Sequence, residues 1–140
     1  MTRTSRFDTR GSAAVELVLI TPVLITLMLF VVMLGRLGTA RATVDAAARD
    51  AARAASIART PGEARSAAID AAAVSTRTAD VRCAPLTVDI TSDTHPGAMI
   101  EATVSCTIPL GDLAAGLHIP ASRTLTAHFA APIDQYRGEP

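Results

Sequence analysis

A carboxylate, Glu16, lies at the start of a long apolar segment, and Gly11 precedes it by five positions. A carboxylate can pair with a cation or accept hydrogen bonds. At membrane depth an ionised group without such a partner costs several kcal/mol, so residues of this kind are candidates for function. Gly11 closes a short basic leader, which makes its spacing from Glu16 the most informative feature of the chain.

Composition allows one small outer domain and excludes a nucleic-acid-binding surface. The chain has 140 residues and a formal net charge of zero, so it has no basic electrostatic footprint. It contains one Tyr, no Trp and three Phe. Large aromatic side chains are therefore scarce, and any soluble core must be small.

The apolar segment predicts a membrane-spanning helix. Residues 12–34 would extend about 34 Å as a helix, which crosses a hydrocarbon core of about 30 Å with some tilt. Pro22 lies inside this span, where it removes one backbone hydrogen bond and favours a kink. The basic residues before the span are Arg3, Arg6 and Arg10. They predict a cytoplasmic amino terminus, with residues 36–140 outside the cytoplasm.

Three processing outcomes compete at this segment. An ordinary signal peptide would be cut after Ala42, at the small-residue site Ala40-Arg41-Ala42, but the apolar run is longer than a typical signal core. An uncleaved anchor would keep its leader and hold Glu16 near the cytoplasmic interface. Cleavage on the cytoplasmic side after Gly11 would leave Ser12 as a new amino terminus.

The residues around the glycine and the glutamate carry a family resemblance. The segment begins Arg10-Gly11-Ser12-Ala13-Ala14-Val15-Glu16-Leu17. An apolar run follows that contains Thr21-Pro22 and ends at Gly35-Arg36. In these features the chain resembles the TadE-like minor pilins, or pseudopilins, of tight-adherence pilus systems. Leu17 stands where the major Flp pilins have tyrosine, and those proteins are much shorter, which favours a minor component.

The resemblance implies roles for three residues. In type IV pilin-like families a membrane aspartic peptidase cuts after the glycine, and the glutamate at the fifth mature position guides subunits into a helical filament. Gly11 is then the residue before the cut, Ser12 the new terminus and Glu16 the assembly carboxylate. The implied partners are a prepilin peptidase, other pilin or pseudopilin subunits and the membrane.

Simple electrostatics agrees with these roles. Cleavage after Gly11 would place an α-ammonium on Ser12, one helical turn from Glu16. That ammonium and the positive end of the helix, from the same or a neighbouring subunit, could both stabilise the carboxylate. Because a buried charge is best attested as a device that sets registration, we expect Glu16 to align packed helices.

Helical periodicity continues beyond the span. An apolar face recurs at spacings of three and four over residues 36–59, and its members are Leu37, Ala40, Val44, Ala47, Ala48, Ala51, Ala55 and Ala58. Thr60 and Glu63 predict a capping box, with Pro61 at the first position of a second helix over roughly residues 61–75. The apolar face of this helix is predicted at Ala64, Ala67, Ala68 and Ala71.

From Val81 the apolar period changes to two, which predicts strands. Leu86, Val88 and Ile90 alternate with polar residues, and so do Ile100, Ala102 and Val104. Residues 92–97 contain turn formers and predict a hairpin loop. A third strand is expected at 123–130, an irregular connection at 109–120, and a frayed tail after Pro132.

The two cysteines are predicted to form a disulfide across the hairpin. Matching the apolar faces places Ile90 opposite Ile100 and Leu86 opposite Val104, which leaves Cys106 opposite Ala84. One residue bulged at Ala84-Pro85 would bring Cys83 opposite Cys106. An extracytoplasmic domain with a thin core favours such a crosslink over two free thiols.

The remaining residues predict no catalytic centre, no metal site and no cofactor. The three histidines, at 95, 118 and 128, have no partners at the spacing of a triad or a zinc site. The predicted fold is α+β, with a long amino-terminal helix, a short second helix and a small antiparallel sheet. The expected regions are a leader at 1–11, a span at 12–35, alanine-rich helices at 36–80, a β domain at 81–132 and a flexible tail at 133–140.

Overall fold

The computed structural model describes residues 10–91, 95, 97–109 and 122–134, with side chains from Val15 onward. The leader before Arg10, most of the predicted 92–97 loop, most of the predicted 109–120 connection and the tail from 135 lie outside the described residues. Contacts divide the chain into two compact units, Met1–Gly35 and Arg36–Pro140.

The described elements are two helices followed by three strands, which confirms the predicted α+β class. They are α1 (Arg10–Ile57), α2 (Pro61–Thr78), β1 (Leu86–Ile90), β2 (Met99–Pro109) and β3 (Ser122–Pro132). Helix α1 contributes its amino-terminal part to the first unit and its carboxy-terminal part to the second. The helix is continuous through Pro22.

The predicted capping box starts α2. Glu63 N donates to Thr60 Oγ1 at 3.2 Å, and Thr60 N donates to Glu63 Oε2 at 3.2 Å. Two backbone N–H groups that a helix end leaves without partners are thereby satisfied. The helix ends at Thr78, three residues beyond the predicted end at 75, and Asp80 then adopts a positive φ of 54°.

Alanine faces of both helices form the core of the second unit together with one face of the sheet. The predicted face of α1 is buried from Ala40 to Ala55, and Thr43 and Ala52 extend it. On α2 the most buried residues are Ala64, Ala68, Ala72 and Thr76. The predicted Ala67 and Ala71 are only half-buried, because the buried stripe follows the i, i+4 row through Ala64.

The three strands form one antiparallel sheet in the order β1-β2-β3. On β2 the inward residues alternate with partly exposed polar ones, and those with no exposure are Ile100, Ala102, Val104 and Cys106. On the other face Ser105 and Thr126 hydroxyls lie 3.1 Å apart, and those of Thr107 and Thr124 lie 2.9 Å apart.

The predicted register of the first hairpin is wrong by two residues. Leu86 lies opposite Cys106, not Val104, and Ile90 lies opposite Ala102, not Ile100. Cys106 is accordingly not opposite Ala84. A slip of two residues leaves every side chain on the same face, so apolar alternation alone could not distinguish the two registers.

An irregularity is present at Ala84-Pro85, but it does not bring Cys83 opposite Cys106 as predicted, because Cys106 lies opposite Leu86. Ala84 N donates to Thr107 O at 2.8 Å, and Thr107 N donates to Pro85 O at 3.1 Å. Two successive residues thus share one partner, as in a β-bulge. Because proline has no N–H, Ala84 supplies the donor that Pro85 lacks.

We predict that enlarging a buried alanine will destabilise the second unit, Arg36–Pro140. Ala51 has no exposed surface, so Ala51→Leu should lower the free energy of unfolding by about 1 to 3 kcal/mol through overpacking. Urea unfolding of the full chain in mild detergent, followed by circular dichroism, measures this change. Ala42→Leu, at an exposed position of the same helix, is the matched control and should change the value little.

Candidate functional site

The amino-terminal part of α1 exposes almost all of its apolar surface. Apart from the half-buried Met33, its large apolar side chains from Val15 to Leu34 are 45% to 71% exposed. Ile20 is the least exposed of them and Val18 the most. The most apolar window of this helix has a mean hydropathy of 2.9 and no buried residue. A soluble monomer rarely exposes so large an apolar surface, which fits a membrane-anchored protein.

Glu16 interrupts this surface with a carboxylate. Its side chain is exposed and its neighbours Val15 and Leu17 are 63% and 68% exposed. Ser12 lies one turn earlier in the same helix, about 6 Å along the axis. If Ser12 became the amino terminus, its positive charge would therefore be close to the Glu16 carboxylate.

Gly11 and Ser12 lie in the first turn of α1, which begins at Arg10. Their side-chain surroundings are outside the described residues.

Two threonines satisfy their hydroxyl groups within the apolar segment. Thr21 Oγ1 donates to Leu17 O at 2.6 Å, and Thr26 Oγ1 donates to Pro22 O at 2.7 Å. Each hydroxyl is therefore hydrogen-bonded without water, as a lipid environment requires. Such bonding to the carbonyl four residues earlier is a known habit of Thr in apolar helices.

The cysteines lie where the outer sheet begins. Cys83 and Cys106 form a disulfide in the structure, with 5.0 Å between their Cα atoms. Cys106 is fully buried on the central strand, and Cys83 precedes the bulge at Ala84-Pro85. The crosslink therefore ties the segment that leaves α2 to the middle of the sheet.

No catalytic arrangement joins these residues within the described ranges. Groups of three or more His, Cys, Asp or Glu side chains that could hold a metal are absent from that part of the chain. His128 is exposed on the polar face of β3, opposite Thr103. The predicted position of His118 falls outside the described residues.

Together, the fold and the segment define a class of protein: an exposed apolar amino-terminal helix that continues into a small α+β domain. The family described as TadE-like protein matches residues 11–53, which confirms the resemblance seen in the sequence. The match links the chain to Tad pilus assembly, to other pilin subunits and to the membrane. No curated protein and no solved structure matches the chain.

We expect the disulfide to contribute strongly to the stability of the second unit. It closes a loop with a sequence separation of 23, so its loss should cost about 3 kcal/mol. The double variant Cys83→Ala/Cys106→Ala should show this loss in urea unfolding of the full chain. Reductant should lower the stability of the unmodified protein but not that of the variant; an equal effect on both would contradict the assignment.

Proposed function

We propose that this protein is a minor pilin or pseudopilin of a Tad-type pilus or a related secretion filament. A prepilin peptidase removes the leader after Gly11, and the helix then packs against other subunits through Glu16. The observation that carries the proposal is a single carboxylate on an exposed apolar helix, one turn beyond the expected cut. The role is structural and involves no catalysis by this chain.

The position of the cut explains how the carboxylate can be accommodated. Without cleavage, position 12 carries no ammonium that could compensate Glu16. After cleavage Ser12 carries an ammonium, and an apolar environment strengthens its attraction to a carboxylate. In a filament the ammonium of one subunit pairs with Glu16 of a neighbouring subunit. Correctly aligned helices are therefore stabilised, whereas misaligned helices leave a charge unpaired.

The orientation follows from the distribution of arginines. Arg3, Arg6 and Arg10 precede the apolar segment, which favours a cytoplasmic amino terminus. The outer domain with its disulfide then lies outside the cytoplasm, where disulfides persist. The peptidase reaches the Gly11 peptide bond from the cytoplasmic side of the membrane.

The alternatives differ in where the mature chain begins. An uncleaved membrane anchor would present the α+β domain to an unrelated partner and would keep Met1. A secreted binding module would begin at Thr43, after cleavage behind Ala42. Residues 40, 43 and 44 are buried core positions of α1, so that cut would divide a packed helix, which disfavours the secreted module.

We expect the mature chain to begin at Ser12 when the protein is made in cells with a Tad system. Mass spectrometry of the purified full-length product measures the terminus. Gly11→Val should block processing because the added side chain occupies the site of the cut, whereas Gly38→Val in the same helix should leave it unchanged. An amino terminus at Met1 or Thr43 in cells with active peptidase would overturn the proposal.

Glu16→Gln should leave cleavage intact and prevent incorporation into filaments. The amide keeps the size of the side chain but cannot pair with an ammonium. The measurement is the amount of this chain in the sheared pilus fraction, relative to the amount in the membrane, with an expected loss of about tenfold or more for a removed ion pair. Glu101→Gln, at an exposed carboxylate on β2, is the control. Normal incorporation of the Glu16 variant would refute the registration role.

A further inference from the structure

Strand β3 leaves one full edge of the sheet without a partner strand among the described residues. The order β1-β2-β3 places it at an edge. Just beyond the strand, Ile133 N donates to Ala98 O at 2.9 Å and Gly97 N donates to Ile133 O at 3.2 Å. Hydrogen-bonding direction alternates along an antiparallel strand, so the odd-numbered residues of β3 bond to β2. The residues whose N–H and C=O groups point away are Ser122, Thr124, Thr126, His128 and Ala130.

Among the described residues, this edge carries little of the usual protection against strand addition. Native edges are commonly short, or carry proline, lysine or inward-pointing charges along their length. Here the strand runs from Ser122 to Pro132, its proline is its last residue, it contains no lysine, and Arg123 is its one arginine on the helix-facing side. The five outward-facing residues are all exposed. Their backbone groups can therefore accept another extended segment.

Two cations flank the edge at one end. A cavity of about 150 Å³ lies between α1 and β3, and its lining includes Arg41, Asp45 and Arg123. The two arginines are exposed and Asp45 is half-buried. Asp45 can compensate one guanidinium, which leaves one positive charge beside the free edge. A carboxylate is the group that a planar guanidinium binds best.

An apolar contact is open further along the same strand. Phe129 lies opposite the buried Ala102, on the face that packs against the helices, yet it is 42% exposed. Arg123 lies opposite the buried Ile108 and so shares that face. The two side chains are six positions apart and would both face the side chains of an added strand.

We propose that the β3 edge binds an extended segment of another protein by strand addition. The segment carries a carboxylate opposite Arg123 and an apolar side chain opposite Phe129. Arg123 and Phe129 would each form a non-hydrogen-bonded pair with the residue opposite in the added antiparallel strand. In such pairs the two Cα atoms are about 4.5 Å apart. Backbone hydrogen bonds supply the affinity, and the contacts with Arg123 and Phe129 determine the specificity for the partner.

A second copy of β3 fits this edge less well than an acidic segment does. The strand reads Ser-Arg-Thr-Leu-Thr-Ala-His-Phe-Ala-Ala-Pro and contains no carboxylate. Pairing with itself would therefore leave Arg123 without an anion in every register. The inference does not rest on the proposed function, since the edge belongs to the outer domain whether or not the leader is removed.

The test uses the full chain in lipid nanodiscs and a fluorescent synthetic peptide, Thr-Ile-Thr-Val-Thr-Val-Thr-Asp-Thr. In antiparallel pairing its Ile and Asp align with Phe129 and Arg123. Fluorescence anisotropy should show binding, and replacement of the peptide Asp by Asn should weaken it about tenfold, as expected for loss of a charge-assisted pair. Arg123→Gln should abolish that difference between the two peptides.

A backbone variant separates strand addition from simple charge attraction. Thr126→Pro removes an outward N–H but keeps the backbone hydrogen bonds between β3 and β2, and proline is tolerated at such edge positions. It should lower the affinity about tenfold or more, whereas Thr126→Ala, which keeps the N–H, should bind normally. Both Thr126 variants lose the hydroxyl contact with Ser105, so the comparison isolates the N–H. Circular dichroism verifies that both variants fold.

Three outcomes would overturn the proposal. They are absence of binding at millimolar peptide, equal affinity for the Asp and Asn peptides, and undiminished binding by a folded Thr126→Pro variant. Sedimentation that shows the chain dimerising through β3, with loss of the dimer in Thr126→Pro and no peptide binding, would assign the edge to a second copy instead.

Discussion

Close packing of alanine side chains is the interaction on which the outer domain depends. Alanine buries little apolar area, so each contact contributes little hydrophobic free energy. Its advantage is that it favours the helix and lets backbones approach closely. A core with few large side chains tolerates neither cavities nor enlargement. The disulfide between Cys83 and Cys106 compensates for that thin core by fixing the start of the sheet to its central strand.

The two parts of helix α1 have surfaces that require different surroundings. Its carboxy-terminal part is buried against α2 and the sheet, while its amino-terminal part exposes nearly every large apolar side chain. The first surface is satisfied within the chain, and the second requires lipid or other helices. Glu16 is a carboxylate on that second surface, and an ionised carboxylate in an apolar setting is costly without a cation. Under the proposed function, anchoring and assembly would use the same part of α1.

The sheet offers a different kind of contact. Its polar face carries paired hydroxyls, and the outward backbone groups of β3, beside Arg123, have no partner strand in the part of the chain that the structure describes. Contacts through apolar helices are non-directional, since hydrophobic burial has little geometric preference. Contacts through a strand edge depend on register and on single side chains. A protein that uses both could hold its place in an assembly with the helix and select a partner with the sheet.

Local patterns in the sequence determined the secondary-structure elements, and they are the basis of the proposed roles of Gly11 and Glu16. The spacing of Gly11 and Glu16, the capping box at Thr60 and the change of period near Val81 are all local, and short-range physics fixes them. Only the tertiary structure decided the register of Leu86 against Cys106, the rotation of the buried stripe on α2 and the meeting of Arg41 with Arg123. Periodicity assigns a residue to a face but not to a partner, because registers two residues apart bury the same side chains. Long-range packing makes that choice.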